Sequence, residues 1–219
     1  MKEKRFFELL GFRVMVLTIG GLTAYASPTP LNGDFSAALN GWTVEYGYVS
    51  DGGGYALFQE HPIDLSSTLS QEFTIPDLAL ELSFDVDMWA TPISGETIDQ
   101  SATLYWPDTF TVSLLDADFN PLISWDPLVT EFFLLDNQPV IKKASGVTIS
   151  GNTISLPISS DWAGQDVLLS FDLWASYDGK ETTVNLDNVN ISVIPAPGAL
   201  LLGLMGTGAV GLWRRLRPR

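Results

Sequence analysis

Hydrophobic and polar residues alternate over short runs of this chain, most clearly between residues 80 and 88. In Leu80-Glu81-Leu82-Ser83-Phe84-Asp85-Val86-Asp87-Met88 every even position is apolar and every odd position is polar. A period of two is the pattern of a β-strand that has one face in a core and the other in water. The run therefore predicts a half-buried strand of an antiparallel sheet.

Comparable runs, rich in β-branched and aromatic residues, recur about every ten residues and are separated by turn clusters. The clusters include Asp51-Gly52-Gly53-Gly54, Ser150-Gly151-Asn152 and Asp178-Gly179. Short strands at this spacing predict one all-β domain over residues 27–194, an antiparallel β-sandwich of jelly-roll type. The strands are expected at 42–49, 55–59, 67–75, 79–89, 109–116, 122–125, 128–135, 146–156, 166–177 and 183–194.

Two of these strands resemble each other in sequence. Ser83-Phe84-Asp85-Val86 is echoed by Ser170-Phe171-Asp172-Leu173, and no longer period continues the similarity. We interpret them as two similar strands of one sandwich, because a repeat protein needs a sustained period. The tryptophans expected in the core are Trp42, Trp125, Trp162 and Trp174.

The first residues of the chain have a different apolar pattern. Three cationic residues near the start precede an apolar run over 14–22, and Ala24-Tyr25-Ala26 has small residues at both ends. This order predicts a signal peptide with a signal helix over residues 1–26, cleaved after Ala26. The alternative is an N-terminal anchor that is retained.

The last 25 residues, 195–219, form a second unusual segment. Residues 195–213 carry no charge, and a helix of that length spans about 28 Å, close to the thickness of a hydrocarbon core. The arginines that follow should stay in the cytoplasm. We therefore predict a single C-terminal transmembrane helix; the alternative is a buried core helix.

The order of features in this tail points to a family. Pro195-Ala196-Pro197, the apolar span and Arg214-Arg215-Leu216-Arg217 resemble the PEP-CTERM sorting signal of Gram-negative bacterial surface proteins, although the family usually has Glu where this chain has Ala196. The resemblance implies that exosortase recognises the tail, with Pro195, Pro197, Arg214 and Arg215 as its signal. It also implies a membrane-anchored precursor that reaches the cell surface or extracellular matrix, and an association with exopolysaccharide and biofilm.

The net charge of the predicted domain limits the classes of molecule that it can bind. Residues 27–194 contain 24 of the 26 acidic residues and three of the 11 basic ones, an excess of 21 negative charges. Such a field repels phosphate backbones, so the charge argues against nucleic acid as a partner, whereas divalent cations are attracted. The absence of cysteine excludes disulfides, so stability has to come from the core, with or without bound metal.

A second resemblance concerns the two ends of the domain. Asn32-Gly33-Asp34-Phe35 followed by Asn40-Gly41-Trp42, and Leu186-Asp187-Asn188-Val189 near the end, resemble the opening and closing strands of carbohydrate-binding-module-like jelly rolls of the galactose-binding type. Many such domains hold a structural calcium ion there. The resemblance implies Ca²⁺ ligands at Asp34, Asp187 and Asn188; the alternative is that these are solvated turn residues.

Glycan binding requires exposed flat aromatic rings beside polar groups, because a sugar ring packs its C–H face on the aromatic and its hydroxyls need hydrogen bonds. Trp89 and Tyr177 are predicted near strand ends, and Tyr105 and Trp106 in the long loop 91–108. These four residues are the candidates for binding a glycan.

Catalytic motifs are scarce. His61 is the single histidine, which excludes zinc sites with several His or Cys ligands, and no serine has a nucleophile-elbow motif. Asp85 and Asp87 share a strand face, but any i, i+2 pair has that spacing. The leading hypothesis is a non-enzymatic exported protein associated with extracellular polysaccharide. The alternatives are a glycan-degrading enzyme and a calcium-stabilised scaffold without a ligand.

Overall fold

The computed structural model describes residues 30–60, 66–92, 107–138, 140–175 and 180–194. The predicted signal peptide, the sorting tail, His61, Tyr105, Trp106 and Tyr177 lie outside these residues. Within the described ranges, no helix has the length and apolar character needed to cross a membrane.

The described residues contain twelve strands and one short 3-10 helix at Ser160–Trp162. The strands are β1 (Thr43–Tyr46), β2 (Tyr48–Asp51), β3 (Ala56–Gln59), β4 (Ser66–Thr74), β5 (Ala79–Pro92), β6 (Thr109–Asp116), β7 (Glu131–Asp136), β8 (Ile141–Lys143), β9 (Thr148–Ser150), β10 (Thr153–Pro157), β11 (Asp166–Trp174) and β12 (Lys180–Val193).

These strands form two six-stranded sheets. The front sheet has the order β1-β4-β11-β6-β7-β8 and the back sheet the order β2-β3-β12-β5-β10-β9. Every pair of neighbouring strands is antiparallel. The predicted all-β antiparallel sandwich is therefore confirmed.

Phenylalanine dominates the core between the sheets. Phe84 of β5 and Phe171 of β11 meet edge to face, with ring centroids 5.3 Å apart. Phe58 and Phe110 make a similar contact at 5.5 Å. Aromatic pairs in this arrangement add attraction to the burial of their apolar area. The fully buried phenylalanines are Phe35, Phe58, Phe84, Phe110, Phe132, Phe133 and Phe171.

The two strands with similar sequences have equivalent places in the two sheets. Each lies near the centre of its sheet and pairs along much of its length with the strands on both sides: β5 in the back sheet and β11 in the front sheet. Their phenylalanines point into the core, so Asp85 and Asp172, one residue later, face outward on opposite sides of the sandwich. The interpretation as two similar strands of one sandwich agrees with this arrangement.

Three predicted strands need correction. The strand predicted at 42–49 is broken at Gly47, which has φ +66° and no room for a side chain, because a Cβ would lie 2.2 Å from the carbonyl oxygen of Ser66. The chain therefore changes sheets there. The run 146–156 folds back at Gly151 into β9 and β10. Residues 122–125 form no strand, and an isolated bridge joins Leu115 to Pro121 instead.

Candidate functional site

The opening loop is organised by Asn32. Its side-chain amide donates to the carbonyl oxygens of Ala38 at 2.6 Å and Asn40 at 3.1 Å, and its Oδ1 accepts from the backbone N–H of Ala37 at 2.9 Å. Trp42 donates from Nε1 to the Asn32 carbonyl oxygen at 3.2 Å. These bonds close the loop into a compact unit.

The loop packs directly against the closing strand β12. Gly33 accepts a hydrogen bond from the backbone N–H of Val189 at 2.8 Å, and the pairing register of β12 with β5 shifts between Asp187 and Asn190. Asn188 has φ +52° in this bulge, a conformation that asparagine tolerates better than most residues. The opening and closing motifs noted in the sequence therefore meet.

Their meeting creates a surface cleft that we call the acidic cleft. It is lined by Asp34, Asp85, Asn188 and Thr153, among others, and Asp187 lies beside it. Asp85 accepts from Thr153 Oγ1 at 2.5 Å and from Asn188 Nδ2 at 2.8 Å. Asp34 accepts from Ser36 N and Oγ at 3.2 and 3.0 Å.

Asp187 is close enough to the other two carboxylates of the cleft for their negative charges to affect its pKa. Its pKa is raised, first by desolvation and then by the negative charges of Asp85 and Asp34, although the backbone N–H of Asn188 opposes the shift. The structure thus brings the predicted residues Asp34, Asp187 and Asn188 together and adds Asp85.

Hard cations such as Ca²⁺ need several oxygen ligands around one point. No such set is assembled among the described residues, where no three His, Cys, Asp or Glu side chains are placed to hold a metal ion. Asp187 Oδ1 instead accepts from Asn188 N at 2.6 Å. As arranged, the cleft is a hydrogen-bonded network rather than a coordination sphere.

A second polar surface, which no sequence pattern predicts, lies on the outer face of the front sheet. Strand alternation places Phe171, Leu69 and Val112 in the core, so the residues next to them on β11, β4 and β6 face outward. We call this surface the hydroxyl trough. It consists of Thr68, Ser70, Thr111, Ser113 and Ser170 around Asp172.

The hydroxyl groups of the trough are largely covered. Although they face outward, Ser70, Thr111 and Ser113 are only 2%, 4% and 5% exposed, because neighbouring side chains cover them. One row across the sheet reads Ser70, Ser170 and Ser113. Glu45 stands at the β1 end of this row, and Ser70 Oγ donates to its Oε1 at 2.6 Å. Glu131, opposite Ser113 on β7, stands at the other end.

Asp172 occupies the centre of the trough. Its carboxylate accepts from Thr68 Oγ1 at 2.6 Å and from Ser170 Oγ at 2.9 Å. The pKa of Asp172 is raised, mainly because burial desolvates the carboxylate, and the negative charges of Glu45 and Glu131 contribute. The two hydroxyl donors oppose the shift by stabilising the charged form.

Thr111 is opposite Asp172 on the neighbouring strand. Its Oγ1 is buried and has no hydrogen-bond partner within the described part of the chain. A buried hydroxyl without a partner costs about 1–3 kcal/mol. Such a group points to an ordered water, or to a ligand that moves the covering side chains aside, as the partner that completes its hydrogen bonds.

Two exposed aromatic residues lie at the margins of the trough. Trp174, the next outward residue after Asp172 on β11, is 51% exposed, and Tyr46 on β1, in register with Thr68, is 65% exposed. The prediction that Trp174 belongs to the core is wrong, because Leu173 takes the inward position and turns Trp174 outward. Trp42 is buried as predicted, and Trp125 and Trp162 pack against the core from partly buried positions.

Trp89 is the one predicted glycan-binding aromatic among the described residues. It is 41% exposed on the outer face of the back sheet, where it pairs with Thr183. Asn185, two residues further along β12, has a buried Oδ1 without a partner in the described ranges. The outer face of the back sheet therefore also places an exposed aromatic ring on a strand next to an unpartnered polar group.

The trough could not be seen in the linear sequence because its residues come from three separate strands. The available signal is a pair of small hydroxyl or carboxylate residues at positions i and i+2: Thr68 and Ser70, Thr111 and Ser113, and Ser170 and Asp172. Only the strand order places these pairs side by side.

No family model matches the chain, and no curated protein matches it. Among solved structures it is similar to the enzymatically active domain of bacteriophage CBA120 tailspike protein 4, at 13% identity and TM-score 0.42, over 74% of this chain and 21% of that one. The chain thus spans about a fifth of the tailspike structure. It is also similar to a cyclase from Fischerella sp. TAU, at 15% identity and TM-score 0.38, over 79% and 99% of the two chains. A third is a carbohydrate-binding module that recognises mannan, at 10% identity and TM-score 0.34, over 72% and 91%.

Proposed function

We propose that this chain is an exported, non-enzymatic surface or matrix protein whose domain binds a glycan in the hydroxyl trough. The observation that carries the proposal is the buried and unpartnered hydroxyl of Thr111 beside the other hydroxyl groups of the trough. A sugar hydroxyl that displaced the side chains covering Thr111 would complete its hydrogen bonds.

The chemistry of the trough suits a polyhydroxyl ligand. Serine and threonine hydroxyls both donate and accept, and the remaining lone pairs of Asp172 can accept from ligand hydroxyls. Trp174 and Tyr46 supply the flat apolar surfaces on which a sugar ring packs. A purely apolar ligand would leave the floor unsatisfied, so a glycan fits better.

The cellular part of the proposal comes from the sequence. The signal peptide places the domain outside the cytoplasm, and the tail 195–219 is proposed to anchor the precursor in the inner membrane until exosortase processes it. Association with extracellular polysaccharide and biofilm, and a jelly-roll topology of the galactose-binding type, belong to the same proposal. Mass spectrometry of the mature protein tests the processing: an intact tail in the membrane would make residues 195–219 a plain anchor.

Binding to the trough is tested with a glycan array and with affinity electrophoresis in soluble polysaccharides. Trp174→Ala should remove retardation by the bound polysaccharide, whereas Trp89→Ala, which changes another exposed tryptophan on the opposite face, should leave it unchanged. If Trp89→Ala alone removes binding, the ligand lies on the back sheet. No retardation of the unaltered protein by any polysaccharide would refute the glycan proposal.

A second function, glycan hydrolysis, is favoured by one observation: the raised pKa of Asp172 beside two other carboxylates. A desolvated carboxyl group of this kind is the usual general acid of glycosidases. Release of reducing sugar that Asp172→Asn abolishes would establish hydrolysis. Binding without release supports the non-enzymatic proposal.

Structural calcium at the acidic cleft also stays a proposal, with Asp34, Asp187 and Asn188 as its residues. Although no coordinating set is formed as arranged, the cleft carboxylates could rearrange around a cation, which would relieve the repulsion at Asp187. Added Ca²⁺ should then raise the melting temperature of the unaltered protein but not of Asp187→Asn. A melting temperature that neither Ca²⁺ nor EDTA changes would exclude this role.

A further inference from the structure

The two lateral sides of the sandwich are chemically different. On one side lie the edge strands β1 and β2, which only Gly47 separates. On the other side lie the edge strands β8 and β9, which four residues separate. Each side therefore presents the open edges of both sheets together; no described strand pairs with the outer edge of any of the four. We call them the tyrosine edge (β1 and β2) and the lysine edge (β8 and β9).

Both edges expose apolar side chains. On the tyrosine edge Val44, Tyr46 and Tyr48 are 41%, 65% and 53% exposed, and on the lysine edge Ile141 and Ile149 are 46% and 38% exposed. An exposed edge strand with apolar side chains is a template for pairing with another chain.

Charge makes the two edges complementary. The lysine edge carries Lys142 and Lys143, the two lysines whose side chains the structure describes, and both are exposed on β8. The tyrosine edge carries exposed Glu45 and Asp51. A partner for the lysine edge has to carry negative charge beside an open strand. The tyrosine edge of a second copy of this chain offers both.

Strand direction also favours such pairing. Each sheet has six strands in fully antiparallel order, so its first and last strands run in opposite directions. A copy shifted sideways without inversion therefore presents β1 antiparallel to β8 of its neighbour. The same holds for β2 and β9. Both sheets can continue across one contact, which buries two open edges at once.

We propose that copies of this protein associate head to tail, with the lysine edge of one copy on the tyrosine edge of the next. A contact between two different surfaces can repeat from one copy to the next. It generates an open filament unless the rotation between neighbouring copies closes a ring. Sheet twist makes the filament helical. This proposal does not rest on the glycan proposal. The tyrosine edge and the hydroxyl trough share Glu45 and Tyr46 of β1, but Trp174, the residue whose substitution tests glycan binding, lies on β11, away from both edges.

The test uses the whole 219-residue chain in mild detergent, measured by sedimentation velocity and negative-stain electron microscopy. The unaltered protein should form linear assemblies that lengthen with concentration and shorten in high salt, which screens the edge charges. Ile141→Glu with Lys142→Glu makes the lysine edge acidic, and Val44→Lys with Asp51→Lys makes the tyrosine edge basic. Each double variant alone should lose every species larger than a monomer.

Mixing the two double variants should restore assembly, because every contact in the mixture again joins an acidic edge to a basic one. Unchanged melting temperatures would show that both variants fold. Assembly by one variant alone would mean that a single edge pairs with itself, which overturns the head-to-tail proposal. A monomer at every concentration of the unaltered protein would also overturn it and assign the lysines the role of preventing edge pairing. Retardation by polysaccharide is measured in parallel, so loss of assembly and loss of glycan binding are distinguishable.

Discussion

Asp85 and Asp172 occupy equivalent places in two similar strands, yet their surroundings differ. In the acidic cleft, Asp85 is bound by Thr153 and by Asn188, which reaches it from the bulge of β12. In the hydroxyl trough, Asp172 is bound by Thr68 and Ser170, while Thr111 on the neighbouring strand keeps an unpartnered hydroxyl. The cleft joins the two ends of the domain, whereas the trough leaves a polar group unsatisfied.

The difference suggests a division of roles between the two faces. Polar groups that satisfy one another contribute to stability, and a buried group left without a partner lowers stability unless a ligand completes it. We therefore expect substitutions in the cleft to lower the free energy of unfolding, and substitutions in the trough to weaken binding while they leave the free energy of unfolding equal or higher. Three predictions follow this contrast from the largest effect to the smallest.

Gly33→Ala should cause the largest loss of stability, about 3 kcal/mol or more. A Cβ at residue 33 would lie 1.8 Å from the carbonyl oxygen of Val189, so the opening loop would have to move away from β12. Urea denaturation measures the loss. Gly53→Ala is the matched control: its Cβ would meet nothing within 4 Å, so its left-handed φ should cost only about 1 kcal/mol. Equal losses would show that the cleft does not hold the ends together.

Much of this architecture could be predicted from the sequence, and the reasons for the failures are physical. Alternation identified β5 and β11, since a period of two is a local property of the chain. The outward position of Trp174 follows from the same local alternation, since Phe171 and Leu173 take the inward positions of β11; the core prediction for Trp174 rests on residue type, which alternation overrides. The trough was missed because it needs the order β4-β11-β6, which long-range pairing decides. The meeting of Asp34 with Asp187 was expected from the resemblance of the two end motifs.

Thr111→Val and Thr153→Val should change stability in opposite directions, each by about 1 kcal/mol. Valine at 111 removes a buried hydroxyl without a partner, so the free energy of unfolding should rise while retardation by polysaccharide falls. Valine at 153 removes the donor to Asp85, so the free energy of unfolding should fall while retardation is unchanged. Both are isosteric changes on strands, which makes them matched controls. If Thr111→Val lowers stability, its hydroxyl has a partner inside the protein and the trough loses its main support.

The smallest effect expected is on the pH dependence of stability. Asp172 has a pKa raised above the unfolded value of 3.8, so the folded protein binds this proton more tightly than the unfolded chain does. Ionisation of Asp172 therefore destabilises the fold above its folded pKa, and this cost disappears as the pH falls through that pKa towards 3.8. Asp172→Asn keeps the shape and removes the charge, so it should be more stable than the unaltered protein at neutral pH, and the difference should vanish in acid.

Asp116 supplies the opposite case, since hydrogen bonds from the N–H groups of Asn120 and Asp118 lower its pKa in a turn. A carboxylate with a lowered pKa stabilises the fold above its unfolded value and loses that contribution as the pH falls through the folded pKa. Asp116→Asn should therefore be less stable than the unaltered protein at neutral pH, by an amount that shrinks in acid. Urea denaturation from neutral pH down into acid measures, for each variant, the difference in free energy of unfolding from the unaltered protein. If this difference has the same sign for both variants at neutral pH, Asp172 is not desolvated in the trough, because desolvation is what distinguishes it from an ordinary turn carboxylate.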